Sequence, residues 1–216
     1  MVTAPWARLR LAFGTRPMSQ LWATDRGLPV HRYYLAEFLE EFRGDIAGHC
    51  MEFQEGAYCE RYGRLRVSQL DILHVDDSNP QATIVADITK PTGIPADRFD
   101  CIVCTHVLHV VRDLDAAVAE LGRILKPGGV LLVAVPGISM AGQGCGELWR
   151  FTADGLTALL APVFDPLVTV RAYGNSLTAA AELRGLVAHE LSPRELNRHD
   201  PRFAVEVCAR AVKPAR

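Results

Sequence analysis

The 216-residue sequence has no strong excess of either charge and no long apolar run. Its 23 lysines and arginines nearly balance 25 aspartates and glutamates, so no long-range positive field would attract a nucleic acid or an anionic membrane. The apolar run at 9–13 is interrupted by Arg10, which argues against a secretory signal, and no run is long enough to span a bilayer. We therefore expect a cytoplasmic protein that binds neither nucleic acid nor membrane.

The six cysteines lack the spacing of a disulfide framework, which is typical of a reducing compartment. The one C-x-x-C, Cys101 to Cys104, lies in an apolar run that predicts a buried strand. Residues three apart on a strand face opposite sides, so these two sulfurs cannot share a metal ion. The seven histidines show no ligand spacing either. We expect no metal.

Apolar runs alternate with segments of helical period, which is typical of a parallel α/β sheet. Helices are expected at 33–42, from Leu114 to Leu125, from a Thr152 cap to about residue 160, and at 178–191. Strands are expected at 50–54, 66–70, 83–86, 100–105, 130–135, 167–172 and 203–211.

This pattern predicts a doubly wound, mostly parallel, seven-stranded α/β sheet. The last strand is expected to be antiparallel, because no room remains for a crossover helix before it. The length fits one domain, 1–216, in which residues 1–43 form a helical lid.

Two motifs carry a resemblance to a known family. The stretch F-D-C-I-V-C-T-H-V-L-H-V-V at 99–111 is followed by E-L-G-R-I-L-K-P-G-G at 120–129. Together they resemble the second half of class I methyltransferases that use S-adenosylmethionine (SAM). The resemblance covers about 44–136 and implies a Rossmann-like fold with SAM as cofactor. The flanks, 25–34 and 149–152, are similar to a bacterial subgroup of small methyltransferase-domain proteins.

Cofactor-binding candidates lie where strands of the predicted sheet end, because open α/β sheets bind ligands beyond their carboxyl ends. The resemblance implies an acid after the second strand for the ribose hydroxyls and one after the third for the adenine amine. Asp71, with Asp76 as its rival, matches the first place and Asp87 the second. Capping of a turn remains the alternative for these aspartates. The other candidates at strand ends are Glu52, Gly56, Ile88 and Thr105.

The first loop departs from the family pattern. The family's glycine-rich loop lets the backbone approach the methionine part of SAM, but here only Glu52 and Gly56 of that pattern are present. Gln54 stands where the first glycine is expected, and its side chain would crowd the cofactor unless the loop shifts. The 72–82 connection, which contains Pro80, is also short for the usual helix.

Candidate catalytic and substrate-binding residues lie on both sides of this core. His106 and His109 are the candidate bases, with structural packing as the alternative for both. Three residues before the first strand and two after the fifth would contact the acceptor, unless the aromatic ones belong to the core. They are Arg32, Tyr33, Tyr34, Trp149 and Arg150.

The sequence thus predicts SAM-dependent methyl transfer to an oxygen or nitrogen atom of a small-molecule acceptor. Two alternatives remain: a non-methylating cyclase or isomerase in the same pocket, and a non-catalytic partner protein of the same fold. A nicotinamide-dependent dehydrogenase would need G-x-G-x-x-G after the first strand, which is absent. The oligomeric state stays open, a homodimer being one option.

Overall fold

The structure is a computed structural model that describes residues 15–142 and 146–215. These residues form the predicted seven-stranded sheet, in the spatial order β3-β2-β1-β4-β5-β7-β6. In chain order the strands are β1 (Gly48–Phe53), β2 (Val67–His74), β3 (Ile84–Val85), β4 (Phe99–Thr105), β5 (Leu125–Pro136), β6 (Val168–Tyr173) and β7 (Glu206–Val212).

Strand direction divides the sheet into two parts. β1 to β5 run parallel to one another, whereas β7 is antiparallel to both of its neighbours, β5 and β6. The predicted antiparallel last strand is confirmed. Strand order reverses between β1 and β4, which is where open α/β sheets bind ligands. Glu206, the first residue of β7, pairs with Pro136, the last residue of β5, so β7 begins at this same edge.

Five α-helices occur among the described residues, and side chains cap the starts of four of them. Thr152 accepts a hydrogen bond from the Gly155 backbone and begins its helix, as predicted. Asn175 caps a later helix, which ends at Gly185 with φ of 74° and so stops well before residue 191. The helices are α1 (Val30–Glu41), α2 (Leu114–Ile124), α3 (Ala153–Phe164), α4 (Ser176–Arg184) and α5 (Pro193–Leu196).

The sheet has a hydrophobic core on each face. Tyr34 and Phe38 of α1 are fully buried in the first core, and Phe164 of α3 is fully buried in the second. Cys101 belongs to the first core and Cys104 to the second. The two sulfurs of the C-x-x-C therefore face opposite sides of the sheet, as the period of a strand requires.

β2 is longer than the sequence predicts. The expected strand ended at residue 70, but pairing with β1 and β3 continues to the last residues of β2. The chain then returns to β3 through turns without a helix, and the Thr83 backbone N–H donates to the Ile72 carbonyl at 2.9 Å. The short connection that the sequence indicated is confirmed.

The predicted lid is only partly within the structure, because residues 1–14 lie outside the described part of the chain. From residue 15 to α1 the chain runs in turns along α4, where the Met18 N–H donates to the Arg184 carbonyl at 2.8 Å. In the described part of the chain, no helix has the length and apolar character needed to cross a membrane.

The contact between α2 and α3 is close at Gly122. A Cβ atom at this position would lie 2.3 Å from Cγ1 of Val163. Alanine improves helix propensity by about 1 kcal/mol, but here its methyl group would push the two helices apart. We expect Gly122→Ala to lower the free energy of unfolding by about 1–3 kcal/mol, the usual cost of overpacking. A urea denaturation curve measures this loss.

Gly44→Ala is the matched control, because a Cβ there meets nothing within 4 Å. Its free energy of unfolding should stay within about 0.5 kcal/mol of the parent. Adding Val163→Ala to Gly122→Ala should recover part of the loss. An unchanged urea midpoint for Gly122→Ala alone would show that α2 and α3 are not in close contact there.

Candidate functional site

A cavity of about 760 Å³ opens at the carboxyl ends of β1 to β4. Its size lies within the roughly 300–1,000 Å³ of pockets that enclose small ligands. Phe53, Val75, Asp87 and Thr105 line it from the ends of the four strands in turn. Six of the predicted site residues come together here: Arg32, Glu52, Asp87, Ile88, Thr105 and His106.

Asp87 lies just past β3 and combines a turn with a place at the cavity. Its Oδ1 accepts hydrogen bonds from the Thr89 backbone N–H at 2.9 Å and from Thr89 Oγ1 at 2.7 Å. Lys90 Nζ lies 3.1 Å from Oδ2. The Thr89 hydrogen bonds and the Lys90 charge lower the pKa of this carboxyl. The ionised Asp87 carboxylate, whose side chain is one third exposed, therefore lies at the cavity beside the buried Ile88 and can accept hydrogen bonds.

Asp71 does not reach the cavity, because β2 continues three residues beyond it. Its carboxylate lies 2.6 Å from Arg98 Nη2, 2.8 Å from His49 Nε2 and 2.9 Å from Thr83 Oγ1. Burial alone would raise the pKa of Asp71, but these hydrogen bonds and the Arg98 charge outweigh it and lower the pKa. The placement of Asp71 at a ligand edge is wrong, since its oxygens are used inside the sheet.

Asp76, the rival of Asp71, is exposed and lies outside the cavity lining. Its Oδ1 accepts from the Ser78 backbone N–H at 3.0 Å and from Ser78 Oγ, and His74 Nδ1 lies 3.1 Å from it. The same oxygen therefore fixes a turn. Near the ends of β1 and β2, the cavity is lined by the polar side chains of His74 and Glu55, which sequence reasoning missed.

Glu52 anchors the first loop through its buried carboxylate. Oε1 accepts from the Tyr58 backbone N–H at 3.2 Å, and Oε2 accepts from the Cys59 backbone N–H at 2.8 Å. Burial raises the pKa of Glu52 to about 7, although these two hydrogen bonds act to lower it. Glu52 thus holds the start of the π-helical turn at Cys59–Gly63, and it is buried rather than exposed to solvent.

The backbone of the first loop adopts a conformation that favours glycine. Gln54 has φ of 68°, in the left-handed region, and it lines the cavity. Gly56 is buried outside the lining, and a Cβ there would lie 2.5 Å from Cδ2 of Leu70. The loop therefore keeps a glycine-like bend at position 54 without glycine, and Gly56 serves packing against β2.

His106 is held at the cavity by Glu206. Its Nε2 lies 2.7 Å from Glu206 Oε1, and its side chain is 17% exposed whereas that of Glu206 is fully buried. The His106 backbone has φ of 53°. Burial lowers the pKa of His106 well below its usual value and raises that of Glu206 well above it. Sequence reasoning missed Glu206, although a glutamate within the apolar run of β7 is an unusual signal.

A second buried pair lies next to this one. His31 Nδ1 of α1 is 2.7 Å from Glu182 Oε1 of α4, and the His31 ring lies 5.3 Å from the His106 ring, edge to face. The amino-terminal helix therefore places polar groups beside His106. Arg32, the next residue of α1, lines the cavity and donates a hydrogen bond from Nη1 to the Tyr58 hydroxyl.

The remaining aromatic candidates lie outside the cavity lining. Tyr34 is buried in the core, where its hydroxyl donates to the Leu196 carbonyl at 3.0 Å. The Tyr33 hydroxyl donates to Asn197 Oδ1 at 2.9 Å. Their assignment to the acceptor site is therefore not supported, and Tyr34 is a core aromatic. Trp22, which sequence reasoning missed, lines the cavity instead.

The other three candidates, Trp149, Arg150 and His109, also lie outside the cavity lining. Trp149 is 42% exposed and donates from Nε1 to the Val111 carbonyl at 2.7 Å, and Arg150 pairs with Glu147. His109 packs edge to face on His106 and lies outside the cavity lining. Burial, and then the neighbouring His106, lower the pKa of His109 to about 4. His109 is thus neutral but not placed against a ligand.

Residues 55–133 match a family model described as a methyltransferase domain. A highly reducing polyketide synthase from Phaeosphaeria nodorum is 38% identical over 73 residues. That match covers 30% of this chain and 3% of the synthase. The segment that matches the family model, 55–133, runs from the first cavity loop into β5, so it includes the motifs that carry the resemblance.

Solved structures share the fold at low sequence identity. The N-methyltransferase NodS from Bradyrhizobium japonicum, solved with S-adenosylhomocysteine (SAH), is 17% identical with a TM-score of 0.56 over 98% of each chain. The [4+2]-cyclase SpnF is 17% identical with a TM-score of 0.52, over 84% of this chain and 82% of that one. Residues 55–133 thus match a methyltransferase domain, and the solved structures show that the chain has the fold of class I SAM-dependent methyltransferases.

Proposed function

We propose that the chain transfers a methyl group from SAM to an oxygen or nitrogen atom of a small-molecule acceptor. The observation that carries the proposal is the cavity at the switch point of the sheet, which has an acid at one end and a histidine at the other. Asp87 lies at the end of β3, and His106 follows β4. The motif at 99–111 contributes residues to this cavity, and the N-methyltransferase NodS, which shares the fold, is consistent with the nitrogen option.

The residues present fit SAM on the β3 side. Asp87 offers an ionised acceptor for an adenine amine, and Ile88 with Val107 offers apolar surface for the ring. Glu55 and His74 are the polar side chains available to the ribose. Gln54 keeps a left-handed bend where the family uses glycine. When bound, SAM supplies an electrophilic methyl group, and positioning with exclusion of water provides much of the acceleration.

The acceptor would lie on the side closed by α1. Tyr58 and Arg32 form one wall of the cavity there, and His106 forms the other. His106 is neutral at pH 7 because burial lowers its pKa, so it is available to accept a proton. His109 lies behind it, so His106 is the better placed of the two candidate bases.

A non-methylating reaction in the same pocket is the second candidate. Two observations favour it: the side chain at Gln54 borders the cofactor side of the cavity, and the cyclase SpnF shares the fold. The same departure at Gln54 is the support for a non-catalytic partner protein. Calorimetry with SAM and SAH separates a protein that has lost SAM binding from one that keeps it. Formation of SAH from SAM in the presence of an acceptor then separates methyl transfer from a non-methylating reaction.

Replacing Asp87 tests the cofactor side. Asp87→Ala removes a charged acceptor, so we expect SAH affinity to fall about ten- to hundredfold, which corresponds to roughly 1.5–3 kcal/mol. Isothermal titration calorimetry measures the affinity, and a urea melt measures the stability lost with the Thr89 turn. Unchanged affinity with a lowered urea midpoint would leave Asp87 with a structural role only.

Asp76→Ala is the matched control for this experiment. Asp76 fixes a turn through Ser78 in the way that Asp87 does through Thr89, but it lies outside the cavity. Its loss should cost about 1 kcal/mol or less of stability and leave SAH affinity unchanged. An equal loss of affinity in both variants would mean that the effect comes from the turns rather than from a ligand contact.

Asp71→Asn tests whether Asp71 stabilises the sheet rather than binding the ribose of SAM. The folded-state pKa of Asp71 is lowered, so its ionised form stabilises the fold above the unfolded pKa and this contribution disappears as pH falls through the folded value. We expect Asp71→Asn to be less stable at pH 7, to approach the parent below about pH 4, and to bind SAH normally. Urea melts at the two pH values and calorimetry measure these effects. A selective loss of SAH affinity would return Asp71 to the ribose site.

A further inference from the structure

The His106–Glu206 pair joins the cavity to a fully buried carboxylate. Only one ring nitrogen of His106 is used, since Nε2 lies 2.7 Å from Glu206 Oε1. Its Nδ1 makes no hydrogen bond with any residue that the structure describes, and the ring lines the cavity. Glu206 Oε2 is buried and also lacks a hydrogen-bond partner among those residues. The pair therefore joins the His106 ring, which lines the cavity, to the Glu206 carboxylate, which is buried in the sheet.

The proton count of the pair decides what His106 can do. With one proton, Glu206 is a carboxylate, Nε2 carries the hydrogen, and the lone pair of Nδ1 faces the cavity. With two protons, Nδ1 carries a hydrogen and the second proton lies between Nε2 and Oε1. In the limit where Glu206 holds it, both groups are neutral. Burial disfavours charge on either group, so the buried site favours uptake of the second proton.

We propose that Glu206 positions His106 so that Nδ1 of His106 can take a proton from the substrate that is methylated. Glu206 takes the proton that is then displaced from Nε2, so the pair as a whole removes one proton from the substrate during methyl transfer. This inference rests on the proposed function. His106 is the catalytic residue in it, because it touches the acceptor. Glu206 is a positioning residue, because it acts through His106.

The step balances in atoms and charge. The acceptor atom gives an electron pair to the methyl carbon, and the pair of the broken carbon–sulfur bond stays on sulfur. The acceptor's proton moves to Nδ1 of His106, while the proton on Nε2 moves to Oε1 of Glu206. The sulfonium charge disappears as the negative charge of Glu206 disappears. For a neutral hydroxyl acceptor, the charges of the sulfonium and of Glu206 therefore offset each other before the reaction and are both absent after it, which a buried site favours.

The class of acceptor follows from this balance. A nucleophile that carries a proton, such as a hydroxyl group or a protonated amine, needs a group that removes it. A thioether or a tertiary amine has no proton to give and would gain nothing from the pair. We therefore infer an acceptor with a hydroxyl group or a protonated primary or secondary amine.

Other charges near His106 enter its titration as well. From α1 come the Arg32 guanidinium and the His31 ring, both of which act to lower the pKa of His106. Acids of α4 and of the loop before α3 act to raise it. The ionisable groups that face the pair are His31, Arg32, Tyr58, His109, Glu147 and Glu182.

Comparison of SAM with SAH tests the pair without knowledge of the acceptor. The two ligands differ by a methyl group and one positive charge, so a nearby negative charge favours SAM. As pH rises and the pair loses its second proton, the preference for SAM over SAH should increase by about tenfold. Glu206→Gln should abolish this increase, since glutamine keeps the shape of glutamate without its charge. Calorimetry at each pH measures both affinities.

Glu190→Gln is the matched control, because Glu190 is also buried and is paired with Arg26. It should keep the pH dependence of the parent. Thermal melts of both variants report folding. A parent whose preference does not change with pH, or a Glu206→Gln variant that keeps the change, would overturn the role of Glu206. Failure of the parent to bind either ligand would instead refute the methyltransferase function, and the role of the pair with it.

Nitrogen-15 NMR of labelled histidine gives a readout that needs no ligand. Nδ1 of His106 should carry a proton at the lower pH and lose it at the higher pH, whereas in Glu206→Gln this transition should be shifted or lost. His106→Asn assigns the resonance, and asparagine tolerates the positive φ at this position. A His106 titration that is the same in parent and Glu206→Gln would show that Glu206 has only a structural role.

Discussion

The antiparallel insertion of β7 between β5 and β6 is the constraint on which the His106 side of the cavity depends. Parallel strands present only their carboxyl ends at the ligand edge, so every side chain there normally follows a strand. An antiparallel strand begins at that edge instead. Glu206 opens β7 opposite Pro136 and thereby enters the site from the opposite chain direction. Its hydrogen bond to His106 then joins β7 to the residue that follows β4.

Buried carboxylates serve different purposes in this molecule, and their partners show which. Glu52 has both oxygens bonded to backbone N–H groups of one loop. Glu190 has both oxygens near Arg26. Glu206 has one oxygen on His106 and one without a partner among the described residues. An unsatisfied buried oxygen costs about 1–3 kcal/mol, so Glu206 is the carboxylate whose retention is hardest to explain by stability.

Periodicity predicted the sheet because its strands are covered on both faces and are nearly all apolar. It misplaced the end of β2, since Asp71 interrupts an apolar run and resembles a strand end. Only the fold shows that Arg98 and His49 meet this carboxylate across the sheet. The position of Glu206 was equally hidden, because it follows from antiparallel pairing over a long separation in sequence. The place of Asp87 at the cavity was predictable, because it lies only two residues after the short strand β3 and needs no distant contact to fix it.

Backbone strain occurs at two places where the chain leaves the sheet for the cavity. Gln54 follows β1 and His106 follows β4, and both have φ in the left-handed region although neither is glycine. Such conformations cost on the order of 1–3 kcal/mol each and persist where surrounding contacts fix them. At His106 those contacts are the hydrogen bond from its N–H to the Ala134 carbonyl at 2.8 Å and the bond to Glu206. The carboxylate bonded to the histidine is therefore also part of what holds its backbone against the cavity.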